Sequence, residues 1–424
     1  MMKIIMSQPN VLDDSLRVKG TREDEFKDAV EAMDSITEFR TIEPHETNII
    51  SFEANKPMKG VFTVRTLIPD RFDSGDILPR PVNTTSGKKV AVGYFGPSAG
   101  NTRYMSEAAM LNAGFTEAQI AEVKKTGFCI GVDDGMGDGE EMFLLFGQLL
   151  PTFCRYVGIE TVSDEPSLFR DMYLASRMRE VTKPCGMVYR TVDGVMKAFA
   201  FVGMSFRPVP QSALIKCAEL CIDGREYEVM GWSIDHKVTE IDYRLKAPVA
   251  RRSNHVFRIG FHMVTSDIGD ASFRITPTLW CDRAMVTTPF VADAPHNDHF
   301  DVNDVVSRVV EYEAKARAMV ADMLKVVDGY TVPNRRKASE EIAKALGLYA
   351  SDSVGKKRMK NVMSGSGIPE DGCPLMDVVL WTLSISKEAF DEISFSSKER
   401  LLKSLGRVYD TSLWIGAVTK EVKK

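Results

Sequence analysis

Alternation of apolar and polar positions is cleanest in the middle of the chain. Met187 to Val192 and Val195 to Phe201 flank Asp193-Gly194, which predicts a hairpin closed by a type I′ turn. His255 to Val264 and Ala271 to Trp280 alternate as two further strands, joined by a turn at Asp267 to Asp270. Glu226 to Leu245 is rich in β-branched and aromatic residues and reads as strands. Pro210 to Cys221 reads as a helix. Asp301 to Val327 is the longest helix, capped by Asp301 and closed by Gly329. The order β-β-α-β-β-β-α predicts an α+β domain, an antiparallel sheet with helices packed on one face.

The flanks are less regular. Glu23 to Arg40 reads as an amphipathic helix, and Thr47 to Thr66 as one or two strands. Pro69, Pro79 and Pro81 mark a connector, and Asn83 to Lys89 a turn cluster, before a strand at Val90 to Phe95. Arg103 to Lys125 reads as helices interrupted at Gly114, with Thr116 and Gln119 spaced as a capping box. Phe128 to Val132 reads as a strand, followed by a Gly/Asp loop and a helix over Glu140 to Leu150. Residues 1–165 group as an N-terminal α/β region, 166–330 as the central domain and 331–424 as a helical C-terminal region.

Composition narrows the class. The 424 residues carry 54 Lys+Arg against 59 Asp+Glu, a formal net charge of -5. Nucleic-acid binding by bulk charge is thereby excluded, so any such binding must come from local patches. The seven cysteines are odd in number and scattered, which reads as reduced thiols in a cytoplasmic protein. Met1 to Pro9 lacks a secretory apolar stretch, and no run approaches the length of a membrane span.

Several motifs fail on inspection. Gly96 to Thr102 lacks the lysine and spacing of a phosphate-cradling loop. The run Asp133 to Glu141 misplaces calcium ligands, with Met136 and Leu145 where oxygen donors belong. A divalent metal held by Asp133, Asp134 and Asp138 stays open beside the plainer reading of an acidic helix start. His296 and His299 with Asp298 and Asp301 read as a polar loop entering a helix, and Cys217 with Cys221 as core. The residues call for no cofactor and no catalytic set.

One constellation carries more. With a two-residue turn, Val192 pairs with Val195, which sets Arg190 directly opposite Lys197. Facing like charges are unfavourable, so something negative must lie between them: an acidic side chain from elsewhere or a phosphate. On the later strands Phe257, Ile259, Phe261 and Met263 share one face, as do Phe273, Ile275 and Leu279. The opposite face then carries Arg258, Gly260 and His262, with Arg274, Thr276, Thr278 and Trp280 beside them. Cations mixed with aromatics suit phosphates and stacked bases, and the plainer alternative is a solvated or subunit-covered sheet face. Arg251 and Arg252 add charge from a loop. Arg335, Arg336 and Lys337 precede a helix, and Lys356, Lys357, Arg358 and Lys360 form a second basic run, which together could track a phosphate backbone or simply be solvated.

Three blocks in this region resemble the phage- and plasmid-borne family called domain of unknown function 932. They are Arg190-Thr-Val-Asp193-Gly194 with Lys197-Ala198, then Thr265-Ser266-Asp267-Ile268-Gly269, then Leu279-Trp280-Cys281. Lys197 replaces an arginine of the family pattern, and Phe206-Arg207 lies two residues beyond its Tyr-Arg position. Arg283 and Ala284 also depart from it. The resemblance covers about residues 187–330 and implies a setting, a bacterial cytoplasm during phage infection, and no reaction. The element order is also similar to the core of single-strand annealing recombination proteins, a likeness of fold alone.

The leading expectation is therefore a mobile-element protein, more a binder than an enzyme, that binds or anneals single-stranded DNA and forms a homo-oligomer. Stacking would fall to Trp280 and Phe206. Phosphate contacts would fall to Arg190, Lys197, Arg258 and Arg274, helped by Arg207, His262 and the other arginines and lysines above. The alternatives are an oligomeric assembly protein, an inhibitor of a host defence protein, and a metal-dependent nuclease or nucleotidyl-transfer enzyme using Asp133, Asp134 and Asp138.

Overall fold

The computed structural model describes residues 12–54, 60–67, 80–83, 89–92, 100–112, 115–133, 140–147, 149–158, 168–252, 255–281, 284–328, 330–346, 371–388, 406–413, 415–416 and 418. The chain opens with β1 (Arg17–Gly20), α1 (Glu23–Ile36), β2 (Thr37–Ile42), β3 (Asn48–Ala54) and β4 (Val61–Leu67). A small hairpin, β5 (Arg80–Asn83) and β6 (Lys89–Val92), precedes β7 (Gly100–Ser106), α2 (Glu107–Asn112) and α3 (Glu117–Thr126). Next come β8 (Phe128–Asp133), β9 (Glu140–Leu145), α4 (Leu150–Tyr156) and α5 (Leu168–Met178). The central elements are β10 (Cys185–Val192), β11 (Val195–Val202), α6 (Ala213–Ile222), β12 (Tyr227–Asp235), β13 (Thr239–Arg252), β14 (His255–Thr265) and β15 (Phe273–Cys281). β16 (Ala284–Thr287), β17 (Ala292–Ala294), α7 (Val302–Val327), β18 (Thr331–Val332), α8 (Arg335–Ala345), β19 (Cys373–Pro374) and α9 (Leu375–Glu388) follow.

The chain is α+β, as its element pattern predicts, but its strands form two large sheets instead of one. An eight-stranded sheet runs β2-β10-β11-β9-β8-β3-β4-β7, and a seven-stranded sheet runs β1-β12-β13-β14-β15-β16 with β17 also on β15. The hairpin at Asp193-Gly194 forms with both turn residues at positive φ, 50° and 78°, and with Arg190 opposite Lys197. It does not join the strands that follow it. β10 pairs with β2, and β11 pairs in parallel with β9. A boundary at 165/166 therefore cuts through one hydrogen-bonded sheet. The N-terminal residues serve both sheets, since β1 lies on β12 and β2 on β10.

The segment Glu140 to Leu150 illustrates why a pattern can mislead. It is a strand over most of its length, not a helix. Phe143 and Leu145 enter the core beneath α5, while Leu144 enters the core on the other face, with Met110 and Ile120 of α2 and α3. A strand covered on both faces reads as a continuous apolar run, which period alone does not distinguish from a buried helix. Elsewhere local chemistry was sufficient. Thr116 and Gln119 make the reciprocal capping box of α3, and the Asp301 side chain caps α7 by accepting from the Asn303 amide. Helix α1 stops at Ile36, and the remaining residues to Ile42 pair as β2.

The seven-stranded sheet buries the apolar face read from its alternation. Phe261, Met263, Phe273 and Ile275 pack under α1, α6 and the first half of α7. Phe257, Ile259 and Leu279 pack with the second half of α7 and with α8 and α9. Cys217 and Cys221 belong to the first of these cores, where burial pushes both thiols up to about 12. Among the described residues no helix is long and apolar enough to cross a membrane.

Candidate nucleic-acid interface

Arg190 and Lys197 are buried, and both are answered by protein. Arg190 Nη2 donates to both carboxylate oxygens of Asp267, at 3.1 and 2.9 Å, and its Nη1 meets His236 Nδ1 at 2.6 Å. Its Nε faces Thr37 Oγ1 at 3.3 Å, and its guanidinium lies 4.3 Å from the centre of the Phe199 ring. Lys197 Nζ donates to the Leu12 carbonyl, Asp14 and Glu122 at 2.7, 2.6 and 3.2 Å. Three acceptors match the three hydrogens of an ammonium group. Of the two ways to offset the facing charges, the carboxylate is the one realised, with separate acids for each cation. Neither residue is positioned to hold a phosphate. Asp267 lies in the second sequence block noted above and Arg190 in the first, so those blocks meet across the two sheets.

His236 completes this network as a neutral ring. Its Nδ1 accepts from Arg190, which leaves Nε2 to donate to the Asp13 carbonyl. Burial first, and the Arg190 charge second, push its pKa down to about 4 from 6.5. A histidine depressed in the folded state stabilises fully above the unfolded value, and that stability is lost as pH falls from about 6.5 to about 4. The full loss is about 3 kcal/mol. Asp171 opposes it. Burial raises its carboxyl to about 6 despite the Arg170 guanidinium at 2.7 Å, so folding gains stability as pH falls from about 6 to its unfolded value. The two effects offset each other in the native chain. Urea midpoints at about pH 7 and pH 5, the window those shifts define, should show a larger acid loss in Asp171→Asn than in the native chain. His236→Gln should show a smaller one.

The second face of the seven-stranded sheet is not an open platform. Trp280, Thr278, Thr276, His262 and Gly260 are all buried. Trp280 packs with Met285, and its Nε1 donates to Thr278 Oγ1 at 3.0 Å. It fits because Gly260 leaves room: a Cβ there would sit 2.1 Å from the Tyr243 carbonyl and 2.5 Å from Trp280 Nε1. His262 Nδ1 pairs with Asp242 at 2.7 Å. Arg258 is half-buried with Nε on the Lys246 carbonyl, and Arg274 is half-buried opposite Asp293 of β17. Trp280 and His262 are thus internal side chains. Phe206 is half-buried and stacked on His296, and Arg207 pairs with Asp298 at 3.0 Å. Asp301 caps α7, and among the described residues the ligand atoms of His296, Asp298, His299 and Asp301 do not come together as a group. Asp133 ends β8, while Asp134 and Asp138 lie outside the described residues, as do Lys356, Lys357 and Arg358.

The remaining basic residues converge on one lobe. The far end of β13 packs Val249 and Ala250 against the core built by α7, α8 and α9. This brings Arg251 and Arg252 beside the C-terminus of α7, where Arg252 Nε reaches Asp328 at 2.7 Å. His255 pairs with Asp377 of α9 at 3.0 Å. A few residues beyond Asp328, Arg335 and Arg336 open α8 and pair loosely with Asp371 and Glu340 at 3.9 and 3.5 Å. Between Asp328 and Arg335 stands Tyr330, an exposed aromatic ring. Exposed ion pairs are worth about 0–1 kcal/mol, so a phosphate can displace any of these carboxylates. Two basic clusters separated in sequence therefore share one lobe with an exposed ring that precedes the second of them in the chain. Sequence pattern flagged the arginines, but Tyr330 sits in a short connector where nothing marks it. The chain matches no protein-family model, no curated protein and no solved structure.

Proposed function

We propose that this chain binds single-stranded nucleic acid, DNA in particular, through Arg251, Arg252, Tyr330, Arg335 and Arg336, in the recombination or replication of a phage or other mobile element. The observation that carries this reading is the exposed Tyr330 ring lying in the chain between two arginine pairs on the same lobe. Base stacking on such a ring tolerates any sequence, and the arginines supply charge along the backbone. The buried Arg190, Lys197, His262 and Trp280 support the scaffold in this reading and touch no nucleic acid.

Fluorescence anisotropy with a labelled single-stranded oligomer at about 50 mM salt tests it. Tyr330→Ala should weaken single-strand binding about tenfold, the worth of one stacked base, and leave duplex binding nearly unchanged. No single-strand binding by the native chain at that salt would refute the proposal.

A further inference from the structure

The two sheets meet around a cleft of about 810 Å³. Its floor is the end of β11, Phe199 to Gly203. Phe146, Gly147, Leu149, Pro151 and Thr152 line the cleft as well, together with the Ile268–Asp270 turn and Phe206. This volume lies within the roughly 300–1,000 Å³ of small-molecule sites, and the accessible lining exposes more polar than apolar surface, with aromatic and aliphatic side chains among it. Gly203 faces open space, since a Cβ on it would meet no atom within 4 Å. The Phe206 ring stacks on His296 with centroids 5.4 Å apart and planes 9° from parallel, and it also lines the cleft. At the rim Lys237 Nζ lies 3.5 Å from Asp270 Oδ2, and both side chains are well exposed. So loose a pair yields readily to a stronger anion.

We infer that this cleft is a second site, one that takes a nucleotide. Its flat base extends the His296–Phe206 stack, its bulk fills the space left by Gly203, and its phosphate replaces Asp270 on Lys237. The site is separate from the arginine surface. The cleft lies at the β14–β15 turn, whereas Arg251 and Arg252 lie at the other end of β14, about 30 Å away along an eleven-residue strand. The nucleotide is either free in solution or the end of a single strand, and the two sources share the same recognition chemistry.

Calorimetry on the full chain separates them, with deoxyadenosine monophosphate as one probe and a single-stranded deoxyadenosine oligomer as the other. Gly203→Leu adds bulk to the cleft lining, and Lys237→Gln removes the rim charge at an exposed position. Gly203→Leu should weaken mononucleotide binding about tenfold or more without lowering the melting temperature. Lys237→Gln should weaken it about tenfold, as expected for loss of one charge-assisted contact. If Gly203→Leu weakens the oligomer as well, the occupant is a strand end; if it weakens the mononucleotide alone, the occupant is a free nucleotide. Neither probe being sensitive to Gly203→Leu or Lys237→Gln would overturn the site, as would no binding of either probe at about 1 mM. Substituting the arginine surface should leave mononucleotide binding intact, so failure of one site is told apart from failure of the other.

Discussion

Arg190→Ala should lower the unfolding free energy by about 3–5 kcal/mol, the cost of breaking a buried ion pair by deleting one partner. Asp267 is left buried, with Gln211 Nε2 at 3.2 Å and Thr37 Oγ1 at 3.3 Å as its remaining side-chain donors. Those neutral groups do not replace a charged nitrogen that donates to both carboxylate oxygens. His236 loses the donor to its Nδ1, and Phe199 loses the cation on its face. Urea denaturation measures the effect directly. The double variant Arg190→Met/Asp267→Asn should be less destabilised than the sum of its parts, because it removes both charges together. Arg252→Ala, which breaks an exposed pair, should cost no more than about 1 kcal/mol. Equal small losses for Arg190 and Arg252 would contradict the division between internal and surface cations.

Gly260→Val should be the most damaging single change in the seven-stranded sheet. Gly260 sits between Arg244 of β13 and Thr278 of β15 in the ladder. The atom its Cβ would strike first is backbone, the Tyr243 carbonyl, which no rotamer change can move. The next is the Trp280 indole, buried with its nitrogen bonded to Thr278. Overpacking of this kind costs about 3 kcal/mol or more, because the strand itself must shift. The expected readout is a melting temperature lowered by several degrees together with altered tryptophan emission. Gly203→Leu, which enters open space, should show neither.

Much of this architecture was legible locally. The Asp193-Gly194 turn, the Thr116 capping box, the Asp301 cap and the alternation of β14 and β15 each depend on neighbours within a few residues. From the hairpin register alone Arg190 faces Lys197, and the need for a nearby negative group follows from charge. What could not be read was long-range. Asp14 and Glu122 reach Lys197 from distant parts of the chain. The assignment of the hairpin to the eight-stranded sheet depends on β2 and β9, whose own pattern is short or continuous. An alternating strand shows which residues share a face but not whether that face is covered. That is why Arg258, His262 and Trp280 read as an open platform while the structure buries Trp280 and His262. The reverse holds for Arg251, Arg252, Arg335 and Arg336. Their charge was legible, but their placement on one lobe follows only from packing of the β13–β14 arm on α7, α8 and α9.

The most direct test is the salt dependence of single-strand affinity for the native chain and for Arg251→Ala/Arg252→Ala/Arg335→Ala/Arg336→Ala. Four phosphates neutralised on a single strand give a slope of log affinity against log salt of about −3, or roughly fiftyfold between 50 and 200 mM salt. That slope is expected for the native chain and one close to zero for the fourfold variant, which should still fold because the pairs it loses are worth only about 0–1 kcal/mol each. An undiminished slope in the variant would contradict this reading and move the interface elsewhere on the molecule.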